Sequence, residues 1–150
     1  MSLVFKKYTA NAARFFNILP KDWQKDIVPC WNEYAKHTNV YVLIDDKELI
    51  GGGMVFSSVS PDMKAVSGIA DRHYQKGLLY IAFIWIAKKH RNKGLGSFWL
   101  QKLTDQHPDQ GYWLTIEDPH LKRFYENLGF TVTESYLNHG KKEWVMIRYT

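Results

Sequence analysis

A run of positive charge followed by two glycines is the part of this 150-residue chain best suited to binding chemistry. In the stretch "IAKKHRNKGLGSFWL" (86–100), four Lys or Arg side chains fall within the six positions from Lys88 to Lys93. Gly94 and Gly96 follow, and an apolar run with helical spacing begins there. This order of charge, glycine and apolar residues favours an anionic ligand, while a solvated surface turn is the simpler alternative.

The strand predicted before this basic stretch and the helix predicted after it favour an anionic ligand. The segment "LLYIAFIWIA" (78–87) predicts a strand buried on both faces, and "GLGSFWLQKLTDQ" (94–106) predicts a helix with one apolar face. A helix start presents unpaired backbone N–H groups and the positive end of the helix dipole. Gly94 and Gly96 permit positive φ and keep side chains away from a ligand. A phosphate or pyrophosphate group suits such a site.

Other phosphate-binding motifs do not fit. A Walker-type loop requires Gly-Lys-Ser/Thr at a fixed spacing, which this chain lacks, and a dinucleotide fold places its glycines after the first strand. The net charge of +5 fits an anionic ligand and a nucleic acid equally well. No metal site is predicted.

A second segment, "DPHLKRFYENLGF" (118–130), predicts a helix with clear start and stop signals. Asp118 suits the N-cap, Pro119 the first turn, and Gly129 the position after the helix. The apolar stripe contains Tyr125, which the stripe alone would place in the core.

The remaining chain predicts a mixed α/β sheet with helices on both sides, in one domain spanning 1–150. Residues 40–56 predict a hairpin, and the three glycines at 51–53 predict a bulge or a close backbone approach. Pro29 should kink or split a helical segment near the N-terminus. Two closing strands lie near "FTVTES" and "EWVMIRY".

The chain shows no signal peptide and no membrane-spanning segment. The longest apolar run, Leu78 to Ala87, has ten residues, whereas a helical span needs roughly 20. With a single cysteine, Cys30, no intramolecular disulfide can form. We therefore expect a soluble, cytoplasmic protein.

The two motifs, in this order, resemble those of the GNAT superfamily of N-acetyltransferases. Arg91, Gly94 and Gly96 match the family's Arg/Gln-x-x-Gly-x-Gly/Ala loop, and residues 118–130 resemble its Asn-Pro-x-Ala-x-x-x-Tyr-x-x-x-Gly-Phe segment. The resemblance covers residues 78–130 and implies an acetyltransferase that uses acetyl-CoA. It also implies a mostly antiparallel sheet that is splayed between two parallel strands.

The resemblance implies where acetyl-CoA binds. The pantetheine arm would pair like an extra strand with the backbone of Ile84, Trp85 and Ile86. The pyrophosphate would lie against backbone N–H groups of the loop and helix start, namely Arg91, Asn92, Lys93, Gly94, Leu95, Gly96 and Ser97.

Tyr125 matches the family tyrosine near the CoA sulfur, which implies a general acid that protonates the departing thiolate. Asp118 stands where the family usually has Asn. It can still cap the helix, but an amide donor to the pantetheine is lost, which puts a cofactor contact by Asp118 in doubt.

The general base is not evident from the motifs. Several relatives carry a Glu on the strand before the loop, at the position of Tyr80 here, and a phenol is a poor base at neutral pH. A water chain ending near Tyr80, or another residue, would have to serve. The candidates are His73, Glu117, His120 and His139.

The resemblance leaves the acceptor open between a small-molecule amine and a protein amine. The polar segment 57–77, with Asp71, Arg72 and His73, would shape the acceptor pocket. N-terminal rings at Phe15, Phe16, Trp23 and Trp31 could also line it, although packing of helices onto the sheet explains most of them. A homodimer built through the C-terminal hairpin also stays open.

Three functions follow from these observations. The first is direct acetyl transfer within a ternary complex, without a covalent intermediate on Cys30, which lies far from both motifs in sequence. The second is a CoA-binding module without catalysis, which the absence of Glu at Tyr80 favours slightly. The third, ranked last, is a nucleic-acid-binding domain that uses the Lys88–Lys93 cluster.

Overall fold

A computed structural model describes residues 2–150, in which seven strands form one sheet of order β1-β2-β3-β4-β5-β7-β6. The strands are β1 Leu3–Lys7, β2 Thr38–Asp45, β3 Glu48–Phe56, β4 Leu79–Ile86, β5 Tyr112–Ile116, β6 Thr131–Asn138 and β7 Lys141–Arg148. The α-helices are α1 Ala12–Phe16, α2 Lys21–Ile27, α3 Trp31–Tyr34, α4 Ser67–Gln75, α5 Leu95–Gln106 and α6 Lys122–Glu126. The mixed α/β fold predicted from the sequence is confirmed.

The sheet opens between its two central strands. Among the strand pairs of residues 2–150, only β4 and β5 are parallel, and they pair only at Leu79–Tyr112 and Tyr80–Trp113. Beyond that point β4 continues to Ile86 and β5 to Ile116 without a ladder between them. The predicted splay between two parallel strands is therefore present, and its narrow end lies at Tyr80.

Helices cover both faces of the sheet, as predicted, and each face has its own core. Residues from α1, α2 and α4 pack with the inward side chains of one face, including Tyr80 and Trp113. Residues from α5 and α6 pack on the other face, around Trp99. The two cores place α5, with the basic loop before it, on one side of the opening and Tyr80 on the other.

The three glycines of β3 let helices approach the sheet from both faces. A Cβ on Gly53 would lie 2.7 Å from the Trp99 ring, and a Cβ on Gly52 would lie 2.9 Å from Phe15 Cε1. The β3–β4 register also shifts between Gly52 and Met54, next to Phe83, whose φ is +56°. Both predictions for this segment, a bulge and a close approach to the backbone, are confirmed.

The N-terminal helical segment is divided at Pro29, as predicted. α2 ends at Ile27, and a 3-10 turn over Val28–Cys30 precedes α3. Most N-terminal rings pack the helices together, since Phe15 and Phe16 are buried and Trp31 packs edge-on against Phe16. Across the part of the chain that the structure describes, no helix is long and apolar enough to cross a bilayer.

Candidate functional site

The basic loop leads from β4 into α5 through a left-handed residue. A 3-10 turn spans Lys88–His90, and Gly94, at φ +74°, precedes the first residue of α5. A Cβ on Gly94 would meet no atom within 4 Å. A pocket of about 230 Å³ lies here, lined by Ile86, His90, Arg91, Asn92, Gly94, Leu95, Gly96, Ser97 and Phe124. The structure thus brings the predicted loop residues around one open pocket, with Lys93 outside its lining.

The cationic side chains of this loop have different partners. Arg91 Nε donates to the Ile86 carbonyl at 2.9 Å, and the guanidinium lies 4.4 Å from the Trp85 ring centroid. These two contacts hold the Arg91 side chain against the end of β4. Lys89 Nζ lies 2.7 Å from a Glu48 carboxylate oxygen, and this contact lowers the pKa of Glu48.

Within residues 2–150, two cations at this end of the opening form no ion pair, and one imidazole nitrogen is buried without a hydrogen-bond partner. Lys88 and Lys93 form no ion pair with any residue that the structure describes. His90 lines the pocket, and its Nδ1 has no hydrogen-bond partner among residues 2–150. The loop therefore combines backbone donors of a helix start with positive charge that no carboxylate neutralises.

The predicted pantetheine strand borders the opening. Ile84, Trp85 and Ile86 lie beyond Tyr80, the last residue of β4 that pairs with β5. Ile84 and Ile86 pack towards α5, whereas Trp85 packs edge-on against Trp23 at 5.4 Å between centroids. Their side chains pack into the cores on the two faces of the sheet, and one backbone edge of this segment faces the gap.

Tyr125 lies on α6 and is half-buried against the core that contains Trp99 of α5. Its ring packs edge-on against Phe124 and Phe130, with centroids at 5.0 and 5.8 Å. Its hydroxyl has no hydrogen-bond partner within the described part of the chain. Burial raises the pKa of Tyr125 to about 12, so the phenol is protonated at neutral pH.

The predicted signals that start and stop the α6 segment are present. Asp118 Oδ1 accepts from the His120 backbone N–H at 2.9 Å, which caps the 3-10 turn Pro119–Leu121. Gly129, three residues after the end of α6, has φ +93°, and the Phe130 N–H donates to the Tyr125 carbonyl. The capping role of Asp118 is confirmed, and a contact with a cofactor stays a prediction.

Tyr80 lies at the narrow end of the opening and contacts a carboxylate. Its ring is buried and stacks on Trp113, with centroids 4.2 Å apart. Its hydroxyl donates to Asp62 Oδ2 at 2.6 Å and lies 3.3 Å from Thr115 Oγ1 on β5. The other Asp62 oxygen accepts from Ser60 Oγ at 2.5 Å.

Burial sets the protonation of this pair. Desolvation raises the pKa of Asp62 above its ordinary value, although hydrogen bonds from Ser60 and Tyr80 oppose the shift. Desolvation, followed by the charge of Asp62, raises the pKa of Tyr80 well above 10.0. Tyr80 is therefore a neutral donor, and Asp62 takes up a proton more readily than an exposed carboxylate.

A second tyrosine–carboxylate pair lies two strands away. Tyr136 on β6 donates to Glu143 Oε1 on β7 at 2.6 Å, and burial raises the pKa of Glu143. Sequence reasoning missed both Asp62 and Glu143. Strand alternation could have found Glu143, because it shares a face with the buried Val145 and Ile147. No sequence pattern around Asp62 indicates that its carboxylate contacts Tyr80.

Arg72 and His73, predicted to bind the acceptor, make contacts within the fold. Arg72 donates to Glu134 at 2.6 Å. His73 is 1% exposed, stacks on the far side of Trp113 at 4.7 Å, and hydrogen-bonds the Ile69 carbonyl. Burial also lowers the pKa of His73. These contacts hold α4 against the sheet.

The predicted base candidates lie outside the hydrogen bonds of Tyr80. Glu117 follows β5 and is exposed, and His139 occupies the β6–β7 turn with φ +51°. His120 is 93% exposed and contacts Asp118. Among the residues that the structure describes, Tyr80 hydrogen-bonds only Asp62 and Thr115 through its side chain.

A larger cleft lies away from the opening. Its volume is about 570 Å³, and its lining residues are Glu33, Tyr34, His37, Ser57, Ser58, Val59, Lys64, Asp71 and Tyr74. Tyr34 packs on Phe56 and Tyr74 on Trp113, so two rings stand between this cleft and Tyr80. Six of these residues, Ser57, Ser58, Val59, Lys64, Asp71 and Tyr74, belong to the segment 57–77 that was predicted to shape the acceptor pocket, whereas Arg72 and His73 do not line the cleft.

Comparisons with known proteins identify a family and a fold. Residues 8–130 match the model of the acetyltransferase (GNAT) family. A GNAT family acetyltransferase from Elizabethkingia anophelis with acetyl-CoA bound superposes with a TM-score of 0.65 at 13% identity, covering 99% of both chains. These matches confirm the predicted resemblance, and the bound acetyl-CoA of that relative agrees with the predicted co-substrate.

Two further structures share the fold. An aminoglycoside 6′-N-acetyltransferase complexed with coenzyme A has a TM-score of 0.69 at 13% identity, covering 97% of this chain and 96% of that one. Naa50 from Arabidopsis thaliana, in complex with the bisubstrate analogue CoA-Ac-MVNAL, has a TM-score of 0.64 at 13% identity and full coverage of both chains. At this identity the likeness establishes the architecture alone.

Proposed function

Because the chain belongs to the acetyltransferase (GNAT) family, we propose that it transfers the acetyl group of acetyl-CoA to a primary amine by direct attack in a ternary complex. The observation that carries this proposal is the gap between β4 and β5, which runs from Tyr80 to a glycine-built helix start. Direct attack fits the state of Cys30. Burial raises the pKa of its thiol, which donates to the Asp26 carbonyl at 3.1 Å.

The loop suits the pyrophosphate of acetyl-CoA. Backbone N–H groups from Arg91 to Ser97 line the turn and the start of α5, and no side chain stands over Gly94. Lys88 and Lys93 add positive charge outside the pocket. Backbone donors and charge act on the same anion, which is the usual arrangement at a helix N-terminus.

The backbone edge of β4 suits the pantetheine arm. Residues 84–86 form part of a strand whose edge towards β5 has no ladder partner. Backbone N–H and C=O groups in a protein interior require partners. The amide groups of a pantetheine chain in the gap would supply them, with Ile84 and Ile86 forming its apolar wall.

Tyr125 is the proposed proton donor. The acetyl thioester supplies an activated acyl group whose leaving group is a thiolate. A neutral phenol with a pKa of about 12 and no protein hydrogen-bond partner among residues 2–150 can donate to that sulfur. Asp118 supports this role from a distance, because it caps the turn that leads into α6.

The acceptor amine approaches on the face opposite α5, where Tyr80 and Thr115 border the gap. Trp23, packed on Phe83 at 5.7 Å, lies over β4 on the same face. The acceptor is a small-molecule amine or a protein amine. The relatives named above show why both belong in a screen, since one is an aminoglycoside acetyltransferase and another binds a peptide-containing analogue.

Binding is tested first by thermal unfolding with and without acetyl-CoA. Ligand at about a hundred times its Kd stabilises the folded state by roughly 2.7 kcal/mol, which raises Tm by very roughly 5–10 °C for a chain of this size. Turnover is then tested on amino acids, polyamines, aminoglycosides and peptides, by thiol release and by the mass of the product. Acetylation of any primary amine supports the proposal, and absence of a Tm shift contradicts it.

A CoA-binding module without catalysis is the second candidate. The observation in its favour is that β4 carries Tyr80, whose raised pKa prevents the phenol from acting as a base by itself. This candidate predicts a full thermal shift with acetyl-CoA and no product with any amine. A nucleic-acid-binding domain predicts instead no shift and an affinity for nucleic acid that falls steeply with salt.

We propose that the activity resides in one domain over residues 1–150 and in the cytoplasm. Size measurement in solution and fractionation of the producing cell test these two points.

A further inference from the structure

The hydrogen bond between Tyr80 and Asp62 brings a carboxylate to a position where β4 has none. We propose that Asp62 receives the proton that the acceptor amine must lose, with the hydroxyl of Tyr80 as the relay. This inference rests on the proposed function, because it concerns how the amine becomes a nucleophile.

The position of Tyr80 supports the relay. Tyr80 belongs to the last pair that joins β4 to β5, and the gap begins directly beyond it. Its hydroxyl lies 3.3 Å from Thr115 Oγ1 on β5, so the two side chains meet across the narrow end of the gap. Because Tyr80 is 2% exposed, the relay requires the acceptor amine to reach its hydroxyl within the gap, directly or through a water molecule.

The chemistry of the pair gives each residue a separate task. A phenol that stays protonated cannot remove a proton without giving up its own. Asp62 Oδ2, at 2.6 Å, is placed to accept that proton, while Ser60 holds the other oxygen at 2.5 Å. Burial makes this carboxylate a stronger base than an exposed one.

The step balances in protons and charge. The ammonium of the acceptor gives one proton to Tyr80 Oη, directly or through a water molecule. The original Tyr80 proton passes to Asp62 Oδ2 as its O–H bond breaks. The phenol is regenerated, Asp62 becomes neutral, and the amine nitrogen holds a free electron pair. Asp62 returns its proton to solvent after acetyl transfer.

Other ionisable groups face Asp62 and contribute to its titration. Asp26 on α2 raises its pKa further. Tyr74 on α4, Tyr136 on β6 and Glu143 on β7 each sense the charge of Asp62. The pH dependence of the reaction therefore reports this coupled cluster, in which Asp62 is the member that contacts Tyr80.

The Tyr136–Glu143 pair offers a matched control. It has the same 2.6 Å geometry and a carboxylate with a raised pKa. It sits on β6 and β7, and β5 separates it from β4. If any buried tyrosine–carboxylate pair could accept the proton, removing the carboxylate of either pair would lower kcat by the same factor.

The test compares Asp62→Asn with Glu143→Gln in full pH profiles of steady-state acetylation. General bases contribute at least about 100-fold to a rate, so we expect Asp62→Asn to lower kcat by on the order of 100-fold at pH 7. Its KM for acetyl-CoA should not change. Its rate should keep rising with pH, because solution then supplies amine that is already deprotonated. Glu143→Gln should keep kcat close to wild type at pH 7, with its pH profile shifted only by the loss of its coupling to Asp62.

A second variant distinguishes loss of the proton relay from misfolding. Tyr80→Phe removes the relay while Asp62 and Ser60 keep their contact, and it should reproduce the Asp62→Asn profile. Each variant is first checked for the wild-type thermal shift with acetyl-CoA. Thermal shift and kcat together separate a folding defect from a proton-transfer defect.

Three results would overturn the inference. One is an Asp62→Asn or Tyr80→Phe variant with the wild-type pH profile. Another is a loss in Glu143→Gln that equals the loss in Asp62→Asn. The third is a wild-type protein that binds acetyl-CoA and acetylates no amine, which removes the proposed function as well. In the first two cases wild-type turnover persists, so the proposed function survives.

Discussion

The two ends of the gap between β4 and β5 are built in opposite ways. The loop end is exposed and basic, and it depends on backbone geometry at Gly94 and on the start of α5. The narrow end is buried and depends on side chains, with Tyr80, Asp62 and Thr115 arriving from three separate segments. One end is suited to holding a large anion, and the other to moving a proton.

The contrast explains why mutations should act differently at each end. A binding site formed by backbone groups has no single side chain whose removal abolishes binding. Such a site is disturbed by adding a side chain that occupies the position of the ligand. A site made of side chains is disturbed by removing one atom or one charge. The loop end is therefore best disturbed by adding a group, and the residues near the reacting atoms by removing one.

The largest effect at the loop end is expected from Gly94→Glu. A carboxylate beside a bound pyrophosphate repels it, and like charges in contact cost several kcal/mol. Even a penalty of about 2.8 kcal/mol raises the Kd for acetyl-CoA by roughly 100-fold. Calorimetric titration measures the change. Gly140→Glu in the β6–β7 turn, at another glycine of positive φ (+80°) whose Cβ would meet no atom within 4 Å, is the control and should keep the wild-type Kd.

The next effect is expected from Tyr125→Phe, which removes one hydroxyl. We expect kcat to fall by up to about 100-fold with little change in the Kd for acetyl-CoA, the low end for general acids. Because the Tyr125 pKa is about 12, the wild-type rate should show no loss from ionisation of this phenol up to a pH of about 11. A Kd that rises in parallel with the loss of kcat would assign Tyr125 to binding.

Gly53→Ala tests how closely α5, the helix that follows the loop, packs against β3. Its Cβ would lie 2.7 Å from Trp99, so α5 would have to move away from β3. Overpacking of this kind costs about 1–3 kcal/mol in the free energy of unfolding. Chemical denaturation measures it, with Gly68→Ala as the control, since helical Gly→Ala changes of this kind stabilise by about 0.5–1 kcal/mol. Equal stability of the two variants would contradict the close approach.

The smallest effect is a pH dependence of stability at the narrow end. The folded-state pKa of Asp62 is raised, so between its unfolded and folded pKa values the folded protein binds more protons. Stability from this group is therefore lost as pH rises through that window. Asp62→Asn lacks the penalty, so its Tm relative to wild type should increase from acidic to neutral pH. A Tm difference that falls over this range would indicate that Asp62 stabilises the fold as a carboxylate.

The same contrast shows which parts of the site could be predicted from sequence. Gly94, Gly96 and the capping residues Asp118 and Gly129 act within a few residues of themselves, so their spacing indicates their role. The opening between β4 and β5 was implied by the resemblance of the two motifs to a family.

The narrow end could not be predicted because it is assembled by tertiary contacts. Asp62 is 18 residues from Tyr80 along the chain, and no periodicity links a turn to a strand. His73 and Arg72 were assigned to an acceptor pocket from the polarity of their segment. The structure instead packs His73 under Trp113 and pairs Arg72 with Glu134. Polarity alone does not separate a ligand contact from a contact between elements.

The central claim is that backbone groups along one side of the gap hold acetyl-CoA, and hydrogen–deuterium exchange of the full chain tests it most directly. With saturating acetyl-CoA, we predict slower exchange at the amides of residues 84–86 and 91–97, with little change in the 570 Å³ cleft lined by Tyr34 and Tyr74. Unchanged exchange at both segments, or protection confined to that cleft, would contradict the account.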